Sequence, residues 1–162
     1  MPDRSRNSSG LLMFRSFDLG LEVFLVHPGG PYWTKKDEGA WSIPKGEYQE
    51  DESAFEAARR EFKEETGFEA IAEKFIQLEP VKQPSRKVIS AWAFEGDCDP
   101  SAMRSNTFCM EWPPKSGKQA EFAEVDRAGW FTIDRAKKKI VSGQIGFIEQ
   151  LCQKLNYNLS QP

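Results

Sequence analysis

The sequence contains few of the residues that build zinc sites, disulfide frameworks or membrane spans. Its 162 residues include one histidine and three cysteines, and no two cysteines have C-x-x-C spacing. We therefore expect reduced thiols rather than a zinc site or a disulfide-stabilised scaffold. No apolar run approaches the roughly 20 residues that a membrane-spanning helix needs, and residues 1–10 lack the apolar segment of a signal peptide. These absences predict a cytoplasmic protein without a membrane partner.

The sequence also lacks an excess of positive charge. It has 22 Lys and Arg against 25 Asp and Glu, which gives a formal net charge of −3, so we expect no nucleic-acid partner. Hydrophobic residues make up 39% and charged residues 29%, as is typical of a folded globular protein. The length suits one domain over residues 1–162, with loose ends at 1–7 and 156–162.

Apolar patterning predicts strands and helices in one α+β fold. The run 21–27 is almost continuously apolar, which indicates a strand buried on both faces. Turn residues surround it at 16–20 and 28–31. Further strands are predicted at 10–14, 75–78, 87–94 and 128–133, with a turn at 82–85. Helices are predicted at 134–139 and 145–155.

The clearest local signal is a helix from Ser53 to Thr66. Ser53 and Glu56 match the S-x-x-E capping box, in which side chains satisfy the first free amide hydrogens. Gly67 follows at the position where a left-handed residue commonly ends a helix. Phe55 and Phe62 share one face of this helix and are its predicted core contacts.

Three glutamates crowd another face of this helix. Glu61, Glu64 and Glu65 fall within an arc of roughly 100°, where like charges repel. A solvated acidic face is the ordinary explanation. Two features favour a cation site instead: Arg60 can hold a carboxylate through paired hydrogen bonds, and small residues on the face leave room above it. These small residues are Ala54, Ala57 and Ala58. Clustered carboxylate oxygens suit a hard cation such as Mg²⁺.

Residues 46–68 resemble the Nudix box in full register. Gly46 is followed by five residues, Glu52, seven residues, and then the run REFKEETGF that starts at Arg60. Segments 9–12, 41–46 and 129–131 also resemble the first strand, the approach to the box and a late strand of that family. The resemblance implies a Nudix-type α/β/α sandwich, with a mixed, partly curled β-sheet and a loop–helix–loop catalytic motif.

The same resemblance implies an activity. The family's Mg²⁺-dependent members, in which Mn²⁺ can substitute, use water to cleave a diphosphate bond in a nucleoside diphosphate linked to a group X. Segment 41–46 is most similar to members that act on nucleoside triphosphates or dinucleoside polyphosphates. A pyrophosphatase for ADP-ribose or nucleotide sugars, and a Nudix-fold module that binds nucleotides without hydrolysis, remain as alternatives.

The resemblance also assigns roles to the residues of the box. Glu61 and Glu65 are expected to bind metal, together with the backbone carbonyl of Lys45. Glu64 is expected to be a further ligand or the general base. Arg60 is expected to orient these carboxylates in catalysis.

The remaining expectations concern support and substrate. Glu52 is expected to pair with Arg60 or to support the loop, while Gly46 and Gly67 are structural positions. An additional acid from a later loop is expected to be Glu121 or Glu124. The candidate substrate-binding residues are Trp33, Trp41 and the side chain of Lys45.

A nucleobase could stack on either tryptophan, although core packing is a comparable expectation for each. Lys45 could reach a phosphate oxygen or remain solvated. His27, the single histidine, is expected to be structural rather than catalytic.

Overall fold

The structure is a computed structural model that describes residues 7–18 and 20–157. Its strands are β1 (Asn7–Phe17), β2 (Gly20–Pro28), β3 (Lys45–Glu47), β4 (Ile76–Gln77), β5 (Val81–Lys82), β6 (Val88–Glu95), β7 (Thr107–Glu111), β8 (Gln119–Ala123) and β9 (Val125–Thr132). Its α-helices are α1 (Ala54–Thr66), α2 (Ile133–Lys139) and α3 (Ile145–Lys154), and short 3₁₀ turns lie at Pro100–Ala102 and Ser142–Gln144.

A mixed seven-stranded sheet forms the centre of the fold. Its main path runs β4-β6-β1-β2-β9. Strands β1 and β6 are parallel, and the other pairs are antiparallel. The first residues of β1 also pair with β3, where Gly10 lies opposite Lys45. Strands β7 and β8 form a separate hairpin. The predicted mixed sheet is therefore confirmed.

Alternating side chains of the central strands divide the core into two layers. Leu12 and Val23 belong to the layer that packs against α2 and α3. Leu11 and Phe24, one position away along their strands, belong to the layer that contains Phe62 of α1. Successive strand residues point to opposite faces, so the sheet is covered by helices on both sides. This arrangement confirms the predicted α/β/α sandwich.

Several boundaries differ from the predictions. Strand β1 extends to Phe17 and β2 begins at Gly20, so the predicted turn at 16–20 is much shorter. The short strands β3 and β5 and the β7–β8 hairpin were not predicted. The predicted loose ends lie mostly outside the described residues, but Asn7 belongs to β1 and Tyr157 packs against the core. No helix in the described ranges is both long and apolar enough to cross a membrane.

Candidate active site

Helix α1 carries the acidic residues, and both of its ends are defined. The Ser53 hydroxyl accepts a hydrogen bond from the Glu56 amide at 3.2 Å. Gly67 adopts a positive φ of 81°, and its N–H donates to the Lys63 carbonyl at 2.7 Å. The buried ring of Phe62 contacts Phe94 with the ring centroids 5.5 Å apart. The predicted helix is therefore confirmed, and its caps and core contact set the direction of the glutamates.

The short strand β3 places main-chain atoms directly against two of these glutamates. The Lys45 N–H donates to the Glu65 carboxylate at 3.2 Å. A Cβ atom added to Gly46 would lie only 2.0 Å from the carboxyl carbon of Glu61. Any other side chain at this position would therefore displace the Glu61 carboxylate from β3.

The room expected above the small residues of α1 is not present. Ala57 and Ala58 are fully buried, because α1 packs closely on β1 and β3. The small side chains instead permit this close approach, which brings Glu61 and Glu65 to the β3 backbone.

Arg60 ties three carboxylates together. Its Nε and Nη2 donate to the two Glu52 oxygens at 2.8 and 2.9 Å, which is a paired interaction. Its Nη1 donates to Glu61 at 2.8 Å and to Glu64 at 3.0 Å. The hydrogen bond from Arg60 lowers the pKa of Glu52. The predicted pairing of Glu52 with Arg60 is present. This pairing holds the guanidinium where it contacts both Glu61 and Glu64.

Of the two candidate late acids, the structure brings Glu124 to the helix. The Glu124 N–H donates to the Asn106 carbonyl at 2.8 Å, and the Asn106 N–H donates to the Glu64 carbonyl at 2.8 Å. Burial raises the pKa of Glu124, and the negative charge of Glu64 adds to this rise. Glu121 lies exposed on β8 and accepts a hydrogen bond from the Thr107 hydroxyl at 3.1 Å.

Burial disfavours the ionised forms of Glu61 and Glu65. Burial raises the pKa of Glu65 to about 8. Burial also raises the pKa of Glu61; a hydrogen bond from Arg60 opposes this rise and the charge of Glu64 increases it. A cation would stabilise the ionised form of these crowded oxygens. Within residues 7–18 and 20–157, no three acidic, histidine or cysteine side chains already converge in a ligand arrangement.

The side chain of Lys45 shares this environment. Burial lowers the pKa of its ammonium group, and the negative charge of Glu65 opposes that change. Contact of this ammonium with a substrate phosphate stays a prediction.

The two candidate tryptophans lie in different surroundings. Trp41 is only 6% exposed, its ring meets Phe131 edge-on with the centroids 4.9 Å apart, and its Nε1 donates to Asp37 at 2.8 Å. These contacts favour the core-packing alternative for Trp41, and base stacking on this ring stays a prediction. Trp33 is 38% exposed, with the Lys36 ammonium 4.9 Å from its ring centroid. Base stacking on Trp33 stays a prediction.

His27 is fully buried and connects two segments. Its Nδ1 lies 2.7 Å from an Asp126 oxygen, and its Nε2 lies 2.6 Å from the Lys36 carbonyl oxygen. These contacts hold the loop that follows β2 against the start of β9, in agreement with the structural role expected for His27.

Sequence reasoning missed the hairpin that borders the site. Its turn contains Pro113, Pro114 and Gly117, which are typical turn residues. Their place between two short strand-like segments could have predicted the hairpin. The hairpin packs on the loop after β2 through an edge contact between Trp112 and Tyr32, whose ring centroids lie 5.3 Å apart. Glu124 directly follows this hairpin, so the missed hairpin also bears on the position of a candidate acid.

Comparison with known proteins identifies the family of the chain. The NUDIX domain family model matches residues 6–151. The chain therefore belongs to the NUDIX family, which confirms the resemblance found in its sequence.

A curated relative shares part of the sequence. Phosphatase NudJ of Escherichia coli strain K12 is 30% identical over 96 residues, which cover 54% of this chain and 63% of NudJ. The match thus spans less than two thirds of that curated relative.

Solved structures share the fold. A Caenorhabditis elegans Ap4A hydrolase in a binary complex has a TM-score of 0.63 at 18% identity, covering 92% of this chain and 98% of the hydrolase. The NUDIX domain of Shewanella oneidensis NrtR, cocrystallised with ADP ribose, has a TM-score of 0.64 at 20% identity, covering 94% and 90%.

Proposed function

We propose that this NUDIX domain hydrolyses a diphosphate bond in a small nucleotide, with Mg²⁺ or Mn²⁺ as its cofactor. The observation that supports this most directly is the fit of Glu61 and Glu65 against the backbone of Gly46 and Lys45. Glu64 lies on the same helix and is also held by Arg60. Such a group of oxygens suits a hard metal ion.

In this proposal Glu61, Glu65 and the Lys45 carbonyl oxygen hold the cation. A bound Mg²⁺ supplies positive charge that offsets the charge of the phosphate oxygens and makes a water molecule more acidic. Gly46 keeps the Glu61 carboxylate close to β3, and the Lys45 N–H orients Glu65. Glu124 contributes further negative charge beside Glu64.

Glu64 is the proposed general base. The oxygen of a water molecule attacks one phosphorus of the diphosphate, the bond from that phosphorus to the bridging oxygen breaks, and the water proton passes to Glu64. Arg60 positions the Glu64 carboxylate through its 3.0 Å hydrogen bond. General-base assistance of this kind contributes about 10²–10⁴-fold to a rate.

The proposed substrate is a nucleoside triphosphate or a dinucleoside polyphosphate. The similarity of segment 41–46 to members with those substrates supports this choice, and so does the shared fold of an Ap4A hydrolase. The partly exposed ring of Trp33 is the proposed stacking surface for the base. ADP-ribose is the alternative, since a NUDIX domain of the same fold was cocrystallised with it.

A substrate panel tests the proposal. Purified protein is incubated with ATP, a dinucleoside tetraphosphate, ADP-ribose and a nucleotide sugar, in ¹⁸O-labelled water with Mg²⁺. We expect two phosphorylated products from at least one compound, with ¹⁸O in one of them, no reaction in EDTA, and recovery when Mg²⁺ or Mn²⁺ is restored.

Other outcomes are equally informative. Turnover that persists after complete chelation would contradict the metal-dependent mechanism. Tight nucleotide binding without any product would instead support a binding module. The Glu64→Gln variant, purified in the same way, controls for contaminating phosphatases.

A further inference from the structure

A second cluster of charged side chains lies on the outer flank of α1, next to the acidic residues. A pocket of about 540 Å³ opens there. Its lining includes four cationic side chains, Arg59, Arg60, Lys63 and Arg104. Three glutamates, Glu56, Glu64 and Glu69, also line it.

Two of these cations are already engaged by carboxylates. The guanidinium of Arg60 binds Glu52, Glu61 and Glu64. The ammonium group of Lys63 pairs with Glu69. The donors of Arg60 are therefore all occupied, and the charge of Lys63 is already paired.

The other two cations retain free hydrogen-bond donors. Arg59 makes one long hydrogen bond, from Nη2 to the Ala70 carbonyl at 3.4 Å, and its Nε is buried without a partner. The guanidinium of exposed Arg104 forms no hydrogen bond or ion pair with the part of the chain that the structure describes. A guanidinium presents five donors in a planar fork that fits the oxygens of a phosphate.

The pocket is joined to the proposed catalytic residues through the main chain. The Arg104 N–H donates to the Thr66 carbonyl, and the Asn106 N–H donates to the Glu64 carbonyl, both at 2.8 Å. The Asn106 carbonyl in turn accepts from Glu124. Since Glu64 lines the same pocket as Arg59 and Arg104, an anion bound there would lie beside it.

We propose that this pocket binds a phosphate group of the substrate that lies outside the cleaved diphosphate. This inference rests on the proposed function and narrows it, because it favours nucleotides with three or more phosphates over ADP-ribose, which carries two. Arg104 and Arg59 are then residues that determine specificity, and the chemical step itself does not involve them.

The first test needs no catalysis. Amide signals of ¹⁵N-labelled protein are followed by NMR while inorganic phosphate is added in EDTA. We expect saturable shifts at Gly67, Arg104 and Asn106. Arg104→Gln should weaken the Kd about tenfold, as expected for the loss of a hydrogen bond to a charged group. Arg135→Gln, an equal change of charge on exposed α2 across the sheet, should leave the Kd unchanged. Equal Kd values in all three proteins would overturn the proposal.

The second test assigns the anion to the substrate. Arg104→Gln should raise the KM for ATP about tenfold, with kcat within about twofold, and should leave the KM for ADP-ribose unchanged. Arg59→Gln should act in the same direction, with its melting temperature measured alongside. Phosphate binding that leaves every KM unchanged would show an adventitious ion only and would contradict the assignment. If the wild-type protein hydrolyses no compound of the substrate panel, the proposed function fails, while the phosphate titration still decides whether the pocket is an anion site.

Discussion

Gly46→Ala is the substitution that most directly probes how the site is built. The added Cβ would lie 2.0 Å from the Glu61 carboxyl carbon and 2.1 Å from one of its oxygens, so one of the groups must move. Gly46 does not have a positive φ, and alanine therefore introduces no backbone strain. The mobile partner is the end of the Glu61 side chain, which would swing away from β3.

The expected cost falls on activity rather than on stability. Overpacking costs about 1–3 kcal/mol, and the lower end applies here because a flexible, partly exposed side chain can yield. This predicts a Tm lower by about 2–4 °C for a chain of this length. Displacing a ligand by about 1 Å can reduce a rate about 10²-fold, so kcat should fall by that order. The assay is steady-state hydrolysis of the best substrate in Mg²⁺, beside a thermal melt.

The control and a double-mutant cycle complete this test. Gly146→Ala in α3 places a Cβ 3.5 Å from the nearest Val81 carbon, an ordinary contact. This control should leave kcat unchanged and should keep or slightly raise the Tm. If Gly46→Ala acts through Glu61, it should add little to the loss already caused by Glu61→Ala. Full turnover in Gly46→Ala, or fully additive losses in the cycle, would refute the reasoning.

Three further predictions follow from the surroundings of the site. Trp41→Ala removes a buried ring and should lower the free energy of unfolding by about 3–5 kcal/mol, which calorimetry would detect. Trp33→Ala should instead keep the Tm and raise the KM for the nucleotide. The opposite pattern would reverse the roles of the two tryptophans. Glu52→Gln removes the charge and one of the two acceptors that pair with the Arg60 guanidinium, which is partly exposed. Stability should therefore change by at most about 1 kcal/mol while kcat falls about tenfold; an unchanged kcat would contradict a positioning role. Burial raises the pKa of Cys98 to about 11, which leaves roughly one Cys98 thiol in a thousand ionised at pH 8. Mass spectrometry after limited alkylation should therefore find exposed Cys109 modified first. Faster labelling of Cys98 would disprove this prediction.

Local signals in the sequence predicted the acidic helix well. The Ser53 cap, the Gly67 end and the core position of Phe62 all depend on residues within one segment, and the structure has each as expected. The continuous apolar run of β2 also indicated correctly that both of its faces are buried, since Val23, Phe24, Leu25 and Val26 are all in the core.

Local sequence signals could not predict features that depend on residues far apart in the chain. Strand β3 has three residues and no apolar pattern, and it forms because α1 and β1 hold its backbone. The choice of Glu124 over Glu121 depends on contacts of Asn106 with α1. The burial of Trp41 depends on Phe131, which lies 90 positions away along the chain. The local sequence around each residue carries none of this information.

The central claim is that hydrolysis depends on the negative charge of Glu64, and Glu64→Gln tests it most directly. The substitution keeps the size of the side chain, and Glu64 lies at a partly exposed position with one hydrogen bond from Arg60. The measurement is kcat in saturating Mg²⁺ and nucleotide, with the Tm of the metal-free protein as the control for folding. We predict that kcat falls at least about 100-fold while the Tm stays within a few degrees; near-normal turnover in a folded variant would contradict the account.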